Sequence, residues 1–384
     1  METKFRDSYQ RIKILYVVST LRQTGPTNQL LGIIKNLNKN YFDVSILTLS
    51  PEPTNSMKQY FLNCGIKIES LNLSRFQFYL YGKKKLKKYI KCNIPMIVHT
   101  SGVRADVAIS KLKMGFAHCM TIRNFAFDDY IAKYGRFIGK LMAQQNIGAM
   151  RNCDRVICCS KTLKKMYAEI LDRDMDVVQN GINTSKFLPP KNKEEKYEIR
   201  KKLNIPNDKC VFLVVGSLIK RKDPLFVIRA FRAANRTGKG LLILLGDGEL
   251  RKECEQLSNE YILIKGNVSN ITDYLKAADV FVSASRSEGL PNAVLEAASC
   301  GLNMILSNIP QHKEVFEDFV GCVDNFEIGD YDKLKNILTK YIENTEKNIN
   351  YKIAKYIHEK FNDFKMSKNY EKIYFEMANL HLGG

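Results

Sequence analysis

Residues 211–234 read VFLVVGSLIKRKDPLFVIRAFRAA. An apolar, β-branched run ends in Gly216, a loop carries the cations Lys220, Arg221 and Lys222, and a helix-like segment opens at Pro224. A strand that is apolar throughout, rather than alternating, is one buried on both faces, as in a parallel sheet covered by helices.

The same unit recurs in both directions along the chain. Strand candidates fall at 13–18, 44–49, 96–99, 119–122, 155–158 and 176–178, and again at 211–216, 241–246, 262–266, 280–283 and 303–306. Longer helix-like segments separate them, which is the signature of parallel α/β layers. The pattern breaks at 189–208, a polar stretch opened by Pro189-Pro190. The expected organisation is therefore an N-terminal Rossmann-like domain (1–188), a linker (189–208) and a C-terminal domain (209–360). The polar, helical tail 361–384 would return to the first domain. Two doubly wound domains facing across a cleft would hold a ligand outside the carboxyl ends of their strands.

A chain of 384 residues with 45% hydrophobic content suits two buried cores. Its 60 Lys+Arg against 40 Asp+Glu leave +20, a field that attracts anionic partners. The ten cysteines are scattered, without C-x-x-C or a histidine at zinc-ligand spacing, and read as reduced, mostly buried cytosolic thiols. The charged start METKFRDSYQRIK and the short apolar run after it read as a first strand, not a leader. No segment approaches the ~20 apolar residues that span a bilayer, so any membrane contact would be peripheral.

Residues 285–301, SRSEGLPNAVLEAASCG, set Glu288 and Glu296 on either side of a Gly-Leu-Pro-Asn turn. Pro291 suits the first helical position, where its missing N–H would be unpaired anyway. The following amides of Asn292, Ala293 and Val294, with the helix dipole, would bind a diphosphate. Glu296, ~7–8 Å further along the axis, is far enough from phosphate to accept hydrogen bonds from ribose hydroxyls. Spacing alone equally fits an amphipathic helix with solvated glutamates.

Lys220, Arg221 and Lys222, at the end of a strand, can neutralise a diphosphate leaving group without a metal ion; a solvated basic turn is the plainer alternative. Gly246-Asp-Gly248 fits a tight turn as well as a ligand contact. Gly25, after the first strand, could let backbone approach a phosphate, but without a full Gly-x-Gly-x-x-Gly a dehydrogenase is disfavoured. Asp172-Arg-Asp-Met-Asp176 precedes its strand, away from the ligand end, and reads as a solvated turn rather than a metal clamp.

In this order the motifs resemble glycosyltransferase family 4, retaining enzymes of GT-B fold, of the bacterial surface-polysaccharide type. The resemblance runs through 17–30, 152–160, 179–183, 216–222, 246–248, 266–268, the Glu288-x7-Glu296 signature and 311–315. It implies that Glu288 contacts the donor sugar and Glu296 the ribose. Lys222, with Arg221, would hold the diphosphate, helped by the amides of Gly289, Leu290, Asn292, Ala293 and Val294. Gly25 would approach the donor, and Asn267 and Val268 would lie near the base. Ser217 stands where the family often has Arg. His99-Thr-Ser-Gly102 replaces a His-x-His-Gly, and Arg123 replaces a histidine near the acceptor.

The expected reaction moves a sugar from a nucleotide sugar, UDP-linked by family prevalence, to a hydroxyl of a lipid-linked saccharide. No metal and no cofactor are implied. Residues 75–91 combine aromatics with Lys83, Lys84, Lys85, Lys87, Lys88 and Lys91, suiting an anionic bilayer surface or, equally, a solvated helix with Leu86, Tyr89 and Ile90 inward. The expected location is cytoplasmic, peripheral at the inner face of the membrane. Two rivals remain at this level: a sugar-nucleotide epimerase, disfavoured by five scattered histidines, and a nucleic-acid-binding protein, disfavoured by the lack of any recognition motif.

Overall fold

A computed structural model describes residues 11–319, 321, 323–344 and 348–383. The charged N-terminal decapeptide and Cys322 lie outside the described residues. The chain divides into two compact units, 1–181 with 363–384, and 182–362.

The first unit holds a seven-stranded parallel sheet: β1 (Ile12–Val18), β2 (Phe42–Thr48), β3 (Lys67–Ser70), β4 (Ile97–Ser101), β5 (Ala117–Ile122), β6 (Arg155–Cys158) and β7 (Asp176–Val177), in the order β3-β2-β1-β4-β5-β6-β7. Its helices are α1 (Gly25–Asn36), α2 (Lys58–Asn63), α3 (Arg75–Asn93), α4 (Val103–Ser110), α5 (Ala126–Tyr134), α6 (Arg136–Arg151) and α7 (Lys161–Ala168). Strand order reverses between β1 and β4, which pair in parallel from Ile14↔Ile97 to Val18↔Ser101. Loops leaving the carboxyl ends of these two strands therefore diverge and open a crevice.

The second unit has six parallel strands: β8 (Cys210–Val215), β9 (Gly240–Leu245), β10 (Ile262–Gly266), β11 (Val280–Ser283), β12 (Asn303–Ser307) and β13 (Val323–Phe326), ordered β10-β9-β8-β11-β12-β13. Its helices are α8 (Lys193–Lys202), α9 (Pro224–Ala234), α10 (Arg251–Gln256), α11 (Ile271–Ala277), α12 (Asn292–Ser299), α13 (Pro310–Val315), α14 (Tyr331–Glu343) and α15 (Tyr351–Lys360). Here the reversal lies between β8 and β11. Every residue of β9 is buried, as a strand covered on both faces requires.

The stretch expected as a linker, 189–208, instead lies wholly in the second unit and contains α8. Asn192 caps α8 by accepting from Glu195 N–H at 2.9 Å. Two of the helix's cations turn inward: Lys196 Nζ and Arg200 Nη2 each lie 2.7 Å from the buried carboxylate of Asp279. Asp279 also accepts from the Val211 N–H at 2.7 Å, tying α8 to the start of β8. Most of the segment's other polar residues are exposed, so its polar composition hides two buried cations within a solvated face.

The last helix, α16 (Asp363–Gly383), is part of the first unit. It is less polar in effect than its composition suggests, because Met366, Tyr370, Ile373, Tyr374 and Met377 are buried in the core against β1, β4 and α1 residues such as Ile14, Ile97 and Ile33. All cysteines among the described residues are free, and all but Cys64 and Cys92 are buried.

Candidate active site

At the reversal point of the second unit the loop after β8 meets the loop after β11. Arg221 Nη1 donates to Ser287 O at 2.5 Å, and the Arg286 N–H donates to Arg221 O at 2.8 Å. This lacing brings the three candidate catalytic side chains together. The buried Glu288 carboxylate accepts from Lys222 Nζ through Oε1 and lies 3.2 Å from Arg221 Nη1 through Oε2. Burial alone would raise the Glu288 pKa, but Lys222, Arg221 and a hydrogen bond from the Ser285 side chain bring it down to about 2. Glu288 is thus an anion between two cations, hydrogen-bonded from below by serine.

The support under Glu288 is a polar network on strand ends. Ser283 and Ser285 hydroxyls lie 3.1 Å apart, Ser307 Oγ donates to Ser285 O at 2.6 Å, and His312 Nδ1 lies 2.8 Å from Ser307 O. Because a carbonyl only accepts, Nδ1 carries the proton, and Nε2 is a buried acceptor with no partner among the described residues. Burial holds His312 neutral, with a pKa of about 4. In sequence the segment 311–315 stands out only as a family motif. Its histidine contributes to this network, a role no spacing rule reveals.

The β8 loop is also propped from the other side. Leu218 N–H donates to Asp247 O at 3.0 Å and Leu250 N–H to Leu218 O at 2.9 Å. A Cβ at Gly246 (φ +136°) would stand 1.9 Å from Gly216 O. Gly246 and Gly248 are there for close backbone approach, with no ligand contact needed to explain them.

The remaining candidates are distributed as follows. Ser217 is exposed and borders the small hollow that Lys222 and Ser285 also line. Gly289 and Leu290 are buried in the turn before α12. Pro291 is the residue preceding α12 rather than its first helical residue, with φ −78° and ψ 97°. Val294 N–H is consequently turned back to Pro291 O at 3.1 Å. It is therefore not one of the free amides expected at this helix start. Asn292 and Ala293 are half-buried at the start of α12, and the Ala293 N–H has no hydrogen-bond partner among the described residues. Glu296 sits in the second turn, half-buried, its pKa raised to about 7 by burial against a smaller opposing effect of Lys186. Asn267 and Val268 follow β10, two strands from β8.

In the first unit, the loops after β1 and β4 border a cavity of about 170 Å³ lined by Ser19, Thr20, Thr24, Pro26, His99, Ser101, Gly102, Thr121 and Arg123, among others. Gly25 begins α1 between two of these residues, Thr24 and Pro26. The two acceptor-side candidates therefore share one wall. His99, however, has both ring nitrogens engaged: Nδ1 with Tyr374 OH at 2.6 Å and Nε2 with Thr121 Oγ1 at 2.8 Å. Burial, then Arg123 and His118, lower its pKa to about 3. His99 serves the joint between β4 and α16 rather than an acceptor proton. Arg123 Nη1 donates to Asn180 Oδ1 at 2.8 Å.

Two acids of the Asp-x-Asp-x-Asp run are taken up by ion pairs. Asp174 pairs with Lys164 at 2.7 Å, and Asp176 receives Arg155 Nε and Nη2, both at 2.8 Å. Among the described residues no group of three or more His, Cys, Asp or Glu could hold a metal ion.

A family model described as Glycosyl transferases group 1 matches residues 195–358, and one described as Glycosyltransferase Family 4 matches residues 24–186. Among solved structures, Anabaena HepE in complex with UDP and glucose superposes with a TM-score of 0.78 at 16% identity, covering 94% of this chain and 99% of that one. Sucrose-phosphate synthase from Thermosynechococcus elongatus gives 0.78 at 15%, covering 95% and 99%. Fold and matches define a glycosyltransferase built from two Rossmann-like units, the GT-B class. The two models together span most of the chain, which is a glycosyltransferase of the family 4 type. It is 26% identical, over 94% of its length and 98% of the relative's, to the O-antigen biosynthesis glycosyltransferase WclY of Escherichia coli. It is likewise 26% identical, over 96% and 97%, to that organism's UDP-Gal:alpha-D-GlcNAc-diphosphoundecaprenol alpha-1,3-galactosyltransferase.

Proposed function

We propose that the chain is a retaining glycosyltransferase that moves a sugar from a UDP-linked donor to a hydroxyl of a lipid-linked saccharide during bacterial surface-polysaccharide assembly. The observation that carries it is the Lys222–Glu288–Arg221 cluster at the reversal point of the second unit. The full-length similarity to WclY and to the undecaprenol-linked galactosyltransferase supports the substrate class.

In a retaining transfer the acceptor hydroxyl attacks the anomeric carbon from the face the nucleoside diphosphate is leaving. The departing phosphate oxygen takes the acceptor proton, so no side-chain base is needed. What the protein supplies is electrostatic: Lys222 and Arg221 are positioned to follow the charge that grows on the diphosphate, with the first amides of α12 beside them. As the cations turn to phosphate, the Glu288 oxygens become acceptors for hydroxyls of the donor sugar, held in place by Ser285. Glu296, in the second turn of α12, accepts from the ribose. The two cations perform the task that a metal ion performs elsewhere, and the reaction is proposed to be metal-independent.

The acceptor's lipid calls for a membrane surface, and α3 offers one. Ser74 and Gln77 form a reciprocal cap at its start, with bonds of 3.2 and 3.0 Å. Leu86 and Ile90 point into the core, while all six lysines and Phe76, Tyr79, Leu80 and Tyr81 are exposed, Tyr79 by 86%. Exposed aromatics beside lysines suit the interface of an anionic bilayer, at the cytoplasmic face. No helix of the described residues is long and apolar enough to cross a membrane.

The test is transfer from a panel of radiolabelled nucleotide sugars to membranes carrying lipid-linked saccharides, with a chelator present. Label that reaches lipid only from UDP donors, with the anomeric configuration kept, is the expected result. Inversion at the anomeric carbon, or activity that needs added metal, would overturn the mechanism. Flotation with anionic and neutral vesicles tests the surface; equal recovery in both removes the electrostatic part.

A further inference from the structure

We propose that the cavity of the first unit binds an oxyanion carried by the saccharide acceptor, with Arg123 as its counter-charge. The proposal rests on reading the chain as a glycosyltransferase and names the kind of acceptor it selects.

Arg123 is the one charged side chain lining the cavity. Its Nη1 is held by a neutral amide, that of Asn180, and its Nε is buried with no hydrogen-bond partner among the described residues. No carboxylate among the described residues pairs with it there. A half-buried guanidinium without a counter-ion is costly unless something completes it. His99, on the same wall, is neutral and adds no competing charge. Glu52, beyond the loop after β1, is turned to the Leu21 N–H at 2.9 Å and Ser56 Oγ at 2.6 Å. The other polar groups lining the cavity include hydroxyls of Thr20, Thr24 and Ser101, which can donate to an anion.

Nε is one prong of the planar guanidinium fork, which fits a carboxylate or phosphate through two parallel bonds. The Asn180 amide holds the guanidinium and leaves that prong unfilled. A neutral acceptor would leave it unpaired, and so the cavity discriminates by charge. The oxyanion has two sources: the carboxylate of an acidic sugar, or a phosphate linking the saccharide to its lipid.

The experiment titrates the full chain by calorimetry with glucuronate, glucose 1-phosphate and methyl glucoside, with and without saturating UDP. One of the two charged sugars should bind about tenfold or more tighter than methyl glucoside, and which one does so identifies the source. The preference should vanish in Arg123→Gln, persist in part in Arg123→Lys, and weaken with salt in the wild-type chain. The UDP affinity should stay the same in both variants. Equal binding of the three sugars by the wild-type chain, or a preference retained by Arg123→Gln, overturns the proposal. Should Arg123→Gln fail to fold, a wild-type preference insensitive to salt overturns it as well. A chain that never binds UDP yet shows the preference counts against the transferase reading and leaves the cavity's assignment standing.

Discussion

Glu288 and Lys222, 66 residues apart in sequence, form a direct ion pair in which a buried carboxylate meets the ammonium group at the end of the β8 loop. Neither side chain has an equivalent substitute in the site. Removing Lys222 leaves Glu288 with Arg221 as its one cation in the cluster, and removing Glu288 leaves two neighbouring cations without their anion.

Lys222→Ala and Glu288→Ala should each lower kcat/KM by about 10²–10³ or more, the loss typical of removing a preorganised electrostatic group. They should differ in binding. Lys222→Ala weakens UDP itself, whereas Glu288→Ala spares UDP and loses the added affinity of the sugar. Titration with UDP and with the intact donor separates the two, and a Glu288→Ala enzyme of full activity would sink the site.

The two glutamates of the signature should respond to pH in opposite senses. Glu288, depressed to about 2, contributes stability that is present above the ordinary carboxyl range and lost as pH falls through about 2. Glu296, raised to about 7, favours the folded state while protonated, so its contribution is full below the ordinary range and is lost as pH rises through about 7. Glu296→Gln should therefore raise the melting temperature relative to wild type at pH 8 and change it little at pH 4. The reverse order across that window would show that Glu296 is not held neutral by burial.

Most of the architecture was legible because buried parallel strands write themselves as unbroken apolar runs, as Val211 to Val215 do. The two strands that escaped, β3 and β13, are edge strands with sequences KIES and VDNF. With one neighbour each and polar residues exposed, they carry no such run. The segment 189–208 misled for the opposite reason, since Lys196 and Arg200 look solvated until Asp279 is placed against them. Motif order pointed to the loops after β8 and β11, which the fold brings together, but the pairing of Glu288 with its own cations, the serine network, and the engagement of His99 depend on contacts across long sequence separations. No local pattern encodes those.

Asp279 should be among the most sensitive positions away from the ligand. Asp279→Ala strands two buried cations, a loss of about 3–5 kcal/mol, and denaturant titration should show it as a shift in midpoint. Met at 196 and 200 combined with Ala at 279 should recover much of that stability. Failure to recover would mean that the triad orders α8 in a way apolar contacts cannot replace.

Gly246→Ala should disturb the β8 loop without touching any ligand group. The new methyl would collide with the Gly216 carbonyl, and the loop holding Lys222 would have to shift. Donor affinity should fall by about tenfold or more, a displacement effect of the kind that misplaced binding groups produce, while far-ultraviolet dichroism stays native. Unchanged donor affinity would mean that the loop tolerates the shift.

The hydroxyls of Tyr16 and Tyr374 lie 2.5 Å apart although 358 residues separate them. Strand β1 therefore waits for α16 before its own core is closed, while residues 182–362 can fold from a continuous stretch in the interval. During synthesis the buried wall that receives α16 stays uncovered until residues 182–362 and α16 itself have emerged. The order of translation is thus the reverse of the order of completion, and the amino-terminal unit, begun first, matures last.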